Sequence, residues 1–355
     1  DRLHPVTLLA VLLVSLPAAI AAAAATTGVP PVTDPPPLPV RLSDTGLFEP
    51  GTTRLREGVL PFSPQYPLWS DGSGKRRWIF LPQGTVIDAA DPDAWEFPAG
   101  TRLWKEFRHG RAVETRYIER LDDGRWRFAA YVWDDDGRDA VLAPAEGAVL
   151  DAGPIGRYLV PSRTDCLACH EGPAVPVLGF SALQLSADRD PLAPHADPAG
   201  AGQLDLARLV ATGRLVNLPP ALLATPPRIA ARTPVERAAL GYLHGNCGHC
   251  HDPAGALDGL DLALAQRADP RADSVARVRQ SLLGRESRFR PHGLKNPKRV
   301  ALDGQSPSTL TLRLASTSPL ARMPPLGVQV VDDEGVALVE RWITEERHNH
   351  EEARR

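Results

Sequence analysis

All four cysteines of the 355-residue chain lie in two short motifs, "CLACH" at 166–170 and "CGHCH" at 247–251. Two thiols separated by two residues, with histidine directly after the second, match the geometry of covalent haem attachment. The thiols add across the two vinyl groups, and the histidine lies beneath the iron as its proximal ligand. Other uses of Cys-x-x-Cys fit less well. A redox dithiol needs no histidine and usually sits in a βαβ setting, which this sequence lacks. A zinc ribbon pairs two such knuckles across a gap of about 15–20 residues, far shorter than the stretch from Cys169 to Cys247. A disulfide closed across two intervening residues is strained. The pattern predicts two covalently attached c-type haems, one on Cys166 and Cys169, the other on Cys247 and Cys250. His170 and His251 are the expected proximal ligands.

Each iron then needs a sixth partner. The sequence has one methionine, Met323, in "ARMPPLGVQVV" (321–331). Methionine is the usual flexible filler of apolar cores. This one is followed by Pro324 and Pro325, whose rings fix φ and remove backbone donors. A thioether held there suits the sixth position of the second haem, where it raises the potential relative to histidine. His244 and His249 compete less well: His249, inside the motif, is expected to turn outward, and His244, one turn upstream, to face solvent. With the only methionine used, the first haem must take His109, His195, His292 or Lys105, or keep an open position that admits a small molecule. No general acid–base constellation is identifiable around the first motif.

The elements around the second motif are legible. "TPVERAALGYLHGNCGHCH" opens with Thr233 as N-cap, Pro234 at the first helical position and Glu236 closing a capping box. The spacing predicts a helix burying Val235, Ala239, Leu240 and Leu243. "VDDEGVALVERWITEE" predicts a second helix begun by Asp332 or Asp333, with Val336, Val339 and Ile343 on one face and Leu338 and Trp342 beside them. The order helix, CxxCH, long loop, methionine, helix is that of a small cytochrome c domain, in which the two terminal helices pack together and the methionine loop closes the open haem face.

The first motif has a different approach. Residues 41–160 hold six of the seven tryptophans and alternate as strands. "AVETRYIERLDDGRWRFAAYVW" predicts a hairpin turning at Asp123-Gly124 with both residues at positive φ. "RRWIFLPQGTVI" and "TRLWKEFRH" add strands. An antiparallel sheet or sandwich packed by Trp78, Trp95, Trp104, Trp126 and Trp133 follows. Pro154, Gly156 and Pro161 forbid a long helix before Cys166, so the first haem is expected against the β layer. Lys105 is expected as a solvated strand lysine that blunts an edge.

The fold class expected is α+β: an N-terminal antiparallel β domain carrying haem 1, then an all-α class I cytochrome c-like domain carrying haem 2. The boundaries are a signal peptide over 1–25 and a Pro-rich linker over 26–40. A β-rich domain over 41–160 and a haem 1 segment over 161–225, packed on it, come next. A cytochrome c domain over 226–347 and a disordered tail over 348–355 complete the chain. The apolar run from Val6 to about Ile20, followed by small residues, is what predicts the leader and a periplasmic location. An uncleaved anchor is the alternative, but the run is short for a span of about 20 residues. Net charge is −3 with the signs interspersed, which excludes a nucleic-acid footprint and a polybasic lipid patch.

Several stretches taken together resemble a family of bacterial periplasmic dihaem c-type cytochromes. They are "PSRTDCLACH", "VLGFSALQL", "GQLDLARLVATGRL", "LHGNCGHCHDPAG", "SPSTLTLRL" and "RMPPLGVQVVDDEGVALVERWI", with "GVLPFSPQYPLWSDGSGKRRWIFLPQGT" upstream. The likeness covers roughly residues 42–345 and implies electron transfer without naming a substrate. A fainter resemblance, carried by "FPAGTRLWKEF" (97–107) and "DGRWRFAAYVWDDDGRD" before the first CxxCH, is to cytochrome P460-type domains. It implies a lysine cross-linked to the haem, which by position would be Lys105. Two functions are thereby expected. The first is a relay between periplasmic redox proteins, from a dehydrogenase donor to a cytochrome or oxidase acceptor. The alternative is a haem enzyme, either P460-like, oxidising a small nitrogen compound, or a peroxidase. In it haem 1 is open or lysine-modified and haem 2 is the electron port.

Overall fold

The computed structural model describes residues 35–151, 156–198, 203–253 and 257–355. The expected leader and most of the Pro-rich linker lie outside the described residues. The end of that linker is bound to the sheet. The Pro39 carbonyl accepts from the Tyr131 hydroxyl at 2.9 Å, and the Val40 carbonyl accepts from Leu142 N at 2.9 Å.

The first half is a six-stranded antiparallel sheet. Strands β1 (Val59–Pro61), β2 (Gly74–Phe80), β4 (Arg102–His109), β5 (Arg111–Arg120), β6 (Trp126–Trp133) and β7 (Ala140–Leu142) lie side by side in that order. The short β3 (Ile87–Asp88) pairs elsewhere, in parallel with β10 (Leu215–Val216). Successive side chains alternate between faces. One face stacks Trp78, Trp104, Tyr117, Tyr131 and Trp133 against Leu42, Leu47 and Phe48. Its buried indoles find acceptors: Trp104 Nε1 donates to Thr45 Oγ1 and Trp133 Nε1 to Thr115 Oγ1, both at 2.9 Å. Removing a side chain such as Trp104 from this layer costs about 3–5 kcal/mol. The β5–β6 turn differs from expectation, because only Gly124 is at positive φ. Gly124 N donates to Leu121 O and Leu121 N to Arg125 O, a longer loop in which a turn is closed by one left-handed glycine.

The opposite face is divided. Ile79, Leu103 and Ile118 at one end pack with Phe62, Trp95, Phe97, Phe180 and Leu185, which belong to a core shared with residues 175–222. The other end carries Arg77, Lys105 and Arg116. Lys105 is therefore on a central strand, not an edge. After the hairpin β8 (Ala148–Asp151) and β9 (Arg157–Val160), the chain enters α1 (Arg163–His170).

Short helices α2 (Leu206–Ala211) and α3 (Ala221–Ala224) lead to α4 (Pro234–Cys247). Thr233 caps α4 by accepting from Glu236 N at 3.0 Å. The Glu236 carboxylate does not return to the cap. It accepts from Arg232 N at 2.6 Å and pairs with Arg232 and Arg279. Helices α5 (Ser274–Leu282) and α6 (Thr309–Leu314) precede α7 (Asp333–Glu352), which packs against α4. Leu240, Leu243, Leu338, Val339, Trp342 and Ile343 form the seam. Asp332 is the N-cap of α7, its Oδ1 accepting from Gly335 N at 3.0 Å. Helix α7 continues to Glu352, so residues 348–352, expected in a disordered tail, are helical. Gly241 and Gly245 allow Tyr66, from the first half, to lie directly on α4: a Cβ at Gly241 would sit inside the Tyr66 ring. Among the described residues no helix is long and apolar enough to cross a membrane.

Candidate functional site

The first motif occupies α1 itself. Ser162 and Asp165 form a complete capping box, with Asp165 N donating to Ser162 Oγ at 3.0 Å and Ser162 N to Asp165 Oδ2 at 2.9 Å. None of its eight residues is fully buried; the helix is held by its cap and by the sheet beneath. His170 lies over β6, its ring 5.0 Å from that of Phe128. Its Nδ1 is 2.5 Å from the Pro176 carbonyl oxygen. A carbonyl can only accept, so Nδ1 carries the proton and the Nε2 lone pair is left free. Burial lowers the ring to about 4 and so keeps it neutral.

The second motif follows from α4 into the turn beyond it. Cys247 ends the helix, and burial pushes its thiol up to about 12. His251 is buried and, chiefly by desolvation, lowered to about 4. Its carbonyl accepts from Leu264 N at 2.7 Å, while its buried Nδ1 has no hydrogen-bond partner among the described residues. A neutral imidazole can serve as a metal ligand through a ring nitrogen.

The two motifs meet. The Cys169 sulfur, a His249 ring nitrogen and the Cys250 sulfur all lie within 4.8 Å of one another. Cys250 Sγ is also 3.7 Å from the Ala168 carbonyl. The Cys250 thiol and His249 hold the Cys169 thiol below its usual range. His249, expected to turn outward, faces the other motif instead. His244, expected in solvent, is packed: its Nδ1 accepts from Gln266 N at 3.1 Å, and burial lowers it to about 4.

Met323 lies in a segment tied at both ends. Its N–H donates to the Arg313 carbonyl at 3.1 Å, and Arg313 Nε donates to Ala321 O at 2.8 Å. The Arg313 guanidinium is also within electrostatic reach of His251. Beyond the cis Met323–Pro324 bond, Asp71 Oδ1 accepts from Gln329 N at 2.7 Å and Val330 N at 2.9 Å. Trp69 Nε1 donates to Val330 O at 3.1 Å. Met323, Pro324, Trp69, Tyr242 and Leu314 line one small cavity of about 20 Å³.

The four residues expected as sixth ligands beside the first motif separate clearly. His195 is engaged with the second half: its Nε2 is 2.8 Å from Asp332 Oδ1 and its ring stacks on Trp69 at 4.6 Å. His292 is exposed in the loop after α5. His109 ends β4 with a buried Nε2 that has no hydrogen-bond partner among the described residues, its ring 5.7 Å from Tyr158. Lys105 faces the first motif and lies within electrostatic reach of His170. Its ammonium is 4.9 Å from the Phe107 ring centre. The approach of Cys169 to Cys250 and the Asp71 tether join residues far apart in sequence, and no local pattern signals either. Comparison with family models, curated proteins and solved structures found no match.

Proposed function

We propose that the chain is an exported dihaem c-type cytochrome that passes electrons between redox partners of the periplasm. The observation that supports this reading is the meeting of the two CxxCH motifs, in which ligand atoms of Cys169, His249 and Cys250 lie within 4.8 Å of one another. Bound at these cysteines, haem supplies a one-electron iron couple. The residues around it supply orientation and exclusion of water. The Pro176 carbonyl holds His170 in the tautomer with a free Nε2, and Phe128 covers the ring. Burial keeps His251 neutral, and the Arg313 and Asp71 bonds fix the segment that presents Met323 as the sulfur donor on that side. The donors and acceptors would be a dehydrogenase and a cytochrome or oxidase.

The test is production of the full chain in a host that attaches haem in the periplasm. Two haems per chain are expected, with one on each motif-bearing peptide by mass. Zinc bound at Cys169 and Cys250, or a disulfide between them, would overturn the reading. The haem enzyme remains the second reading, favoured by Lys105 beside His170 and by the absence of a second methionine. Carbon monoxide binding to the reduced protein, or a red-shifted P460-like band, would select it over a plain relay.

A further inference from the structure

The polar end of the sheet face beneath α1 is built against its own electrostatics. Arg77 on β2 stands directly opposite Lys105 on β4, and Lys105 directly opposite Arg116 on β5. Lys75, paired with Phe107 in the next row on the same face, adds a fourth cation. Like charges facing each other across strands destabilise a sheet. Two carboxylates pair with these four cations at close range, and Asp332 acts on Lys75 from farther away. Glu114, fully buried, accepts from Arg116 Nε at 2.8 Å and from the Tyr158 hydroxyl at 2.5 Å. Asp197 lies 3.6 Å from Arg77. The Lys75 ammonium donates to the Ser73 carbonyl at 3.0 Å, which does not neutralise it. Lys105 makes no hydrogen bond or ion pair among the described residues, only its contact with the Phe107 ring. Two of the four basic side chains, Lys75 and Lys105, are left without a carboxylate in direct contact on this floor.

These groups are enclosed but not sealed. Burial pushes Lys105 well below its ordinary range and Lys75 down to about 8, with Arg77 and Arg116 adding repulsion to both. Even so, Lys75 and Lys105 keep some accessible surface, and the Arg116 side chain remains 26 % exposed. The open side of the row faces the first motif. Lys105 is within electrostatic reach of His170 and Arg116 of Cys166.

We infer that Lys75, Arg77, Lys105 and Arg116 form an oxyanion cradle beside His170, built to take carboxylate-type groups carrying two negative charges. The two carboxylates of a haem tethered at Cys166 and Cys169 have that charge, and in this form the inference rests on the dihaem reading. A free inorganic oxyanion has the same chemistry and is separated from it by experiment.

The test uses the full-length, haem-loaded protein and two variants, Lys105→Gln and Arg77→Gln, with Lys105→Arg as the conservative control. A cation near an iron favours its less positive, reduced state. Each Gln variant should therefore lower the potential of one haem in a redox titration and leave the other unchanged, with Lys105→Arg restoring the wild-type value. Isotope-labelled haem carboxylates should also shift their infrared stretch in both Gln variants. If the haem carboxylates fill the cradle, millimolar phosphate changes neither the spectrum nor the melting temperature of wild type. If a free oxyanion fills it, phosphate raises the melting temperature saturably, and Lys105→Gln abolishes that response. The inference is overturned if the Gln variants alter neither potential, infrared stretch nor phosphate response while the 166–170 peptide carries haem. If that peptide carries no haem in wild type, the dihaem reading fails instead, and the phosphate measurement alone decides the cradle.

Discussion

The two CxxCH motifs share five-residue chemistry and almost nothing else. The first sits on an eight-residue helix with no fully buried residue, held by its cap and by a sheet whose near end is cationic. The second closes a 14-residue helix, most of it buried against α7 and Tyr66. The same five-residue pattern thus lies on a charged β floor in one case and in an apolar helical seam in the other. The difference teaches that one motif can sit in opposite surroundings, and that a haem tethered at each would owe its potential to those surroundings rather than to the motif. A lone sulfur donor and a neutral, buried histidine suit an electron-transfer centre. A floor of cations without a sulfur donor suits a centre of different potential or open chemistry.

The largest effects should come from erasing one side of this contrast. Cys166→Ala with Cys169→Ala should leave one haem per chain by pyridine haemochrome assay, and that haem should keep the weak red-end absorption of an Fe(III)–methionine bond. Cys247→Ala with Cys250→Ala should remove that absorption with its haem. Next comes Met323→Ala, which should abolish the same absorption and lower one potential while both haems stay attached. Survival of the band in Met323→Ala would make the two centres alike in ligation and break the contrast.

Smaller effects sharpen the helical side. Gly241→Ala drives a methyl into the Tyr66 ring and should cost about 1–3 kcal/mol, seen as a lower melting temperature. Asp71→Ala removes the acceptor for two backbone amides of the methionine segment and should cost about 1 kcal/mol. Its diagnostic sign is faster hydrogen exchange at Gln329 and Val330 with little change elsewhere. The smallest effect is in acid. Burial alone would raise the Asp332 carboxyl, but bonds from His195, Gly335 and Tyr242 outweigh it and hold it below its ordinary value. A depressed native carboxyl contributes stability that is complete above its unfolded value of about 3.9 and is lost as pH falls through the lower native one. Asp332→Asn should flatten that part of the acid-unfolding curve.

What was legible in the sequence was local. The Thr233 cap, the Asp332 start of α7, the seam of Val339, Trp342 and Ile343, and the tryptophan-packed strands depend on neighbours within a few residues, where spacing alone decides. What was not legible depends on pairing between distant segments. Lys105 reads as a solvated lysine until strand order places it between Arg77 and Arg116. His244 reads as exposed until the loop at Gln266 folds over it, and His249 as outward until the first motif arrives. His195 looked free to reach an iron, and nothing in "LAPHADP" announces that Asp332 and Trp69 will hold it.

The Asp71 tether has a last consequence, for how this molecule could be cut. The stretch from 226 to 347 has the element order of a self-sufficient unit, and a protein engineer would be tempted to excise it. Tyr66 fills the groove on α4, Trp69 holds Val330, and Asp71 anchors the backbone six residues past Met323. An excised fragment would keep its second motif and its only methionine but lose the three residues that brace them from outside. The two halves are not modules joined by a linker. The first half is part of the scaffold of the second.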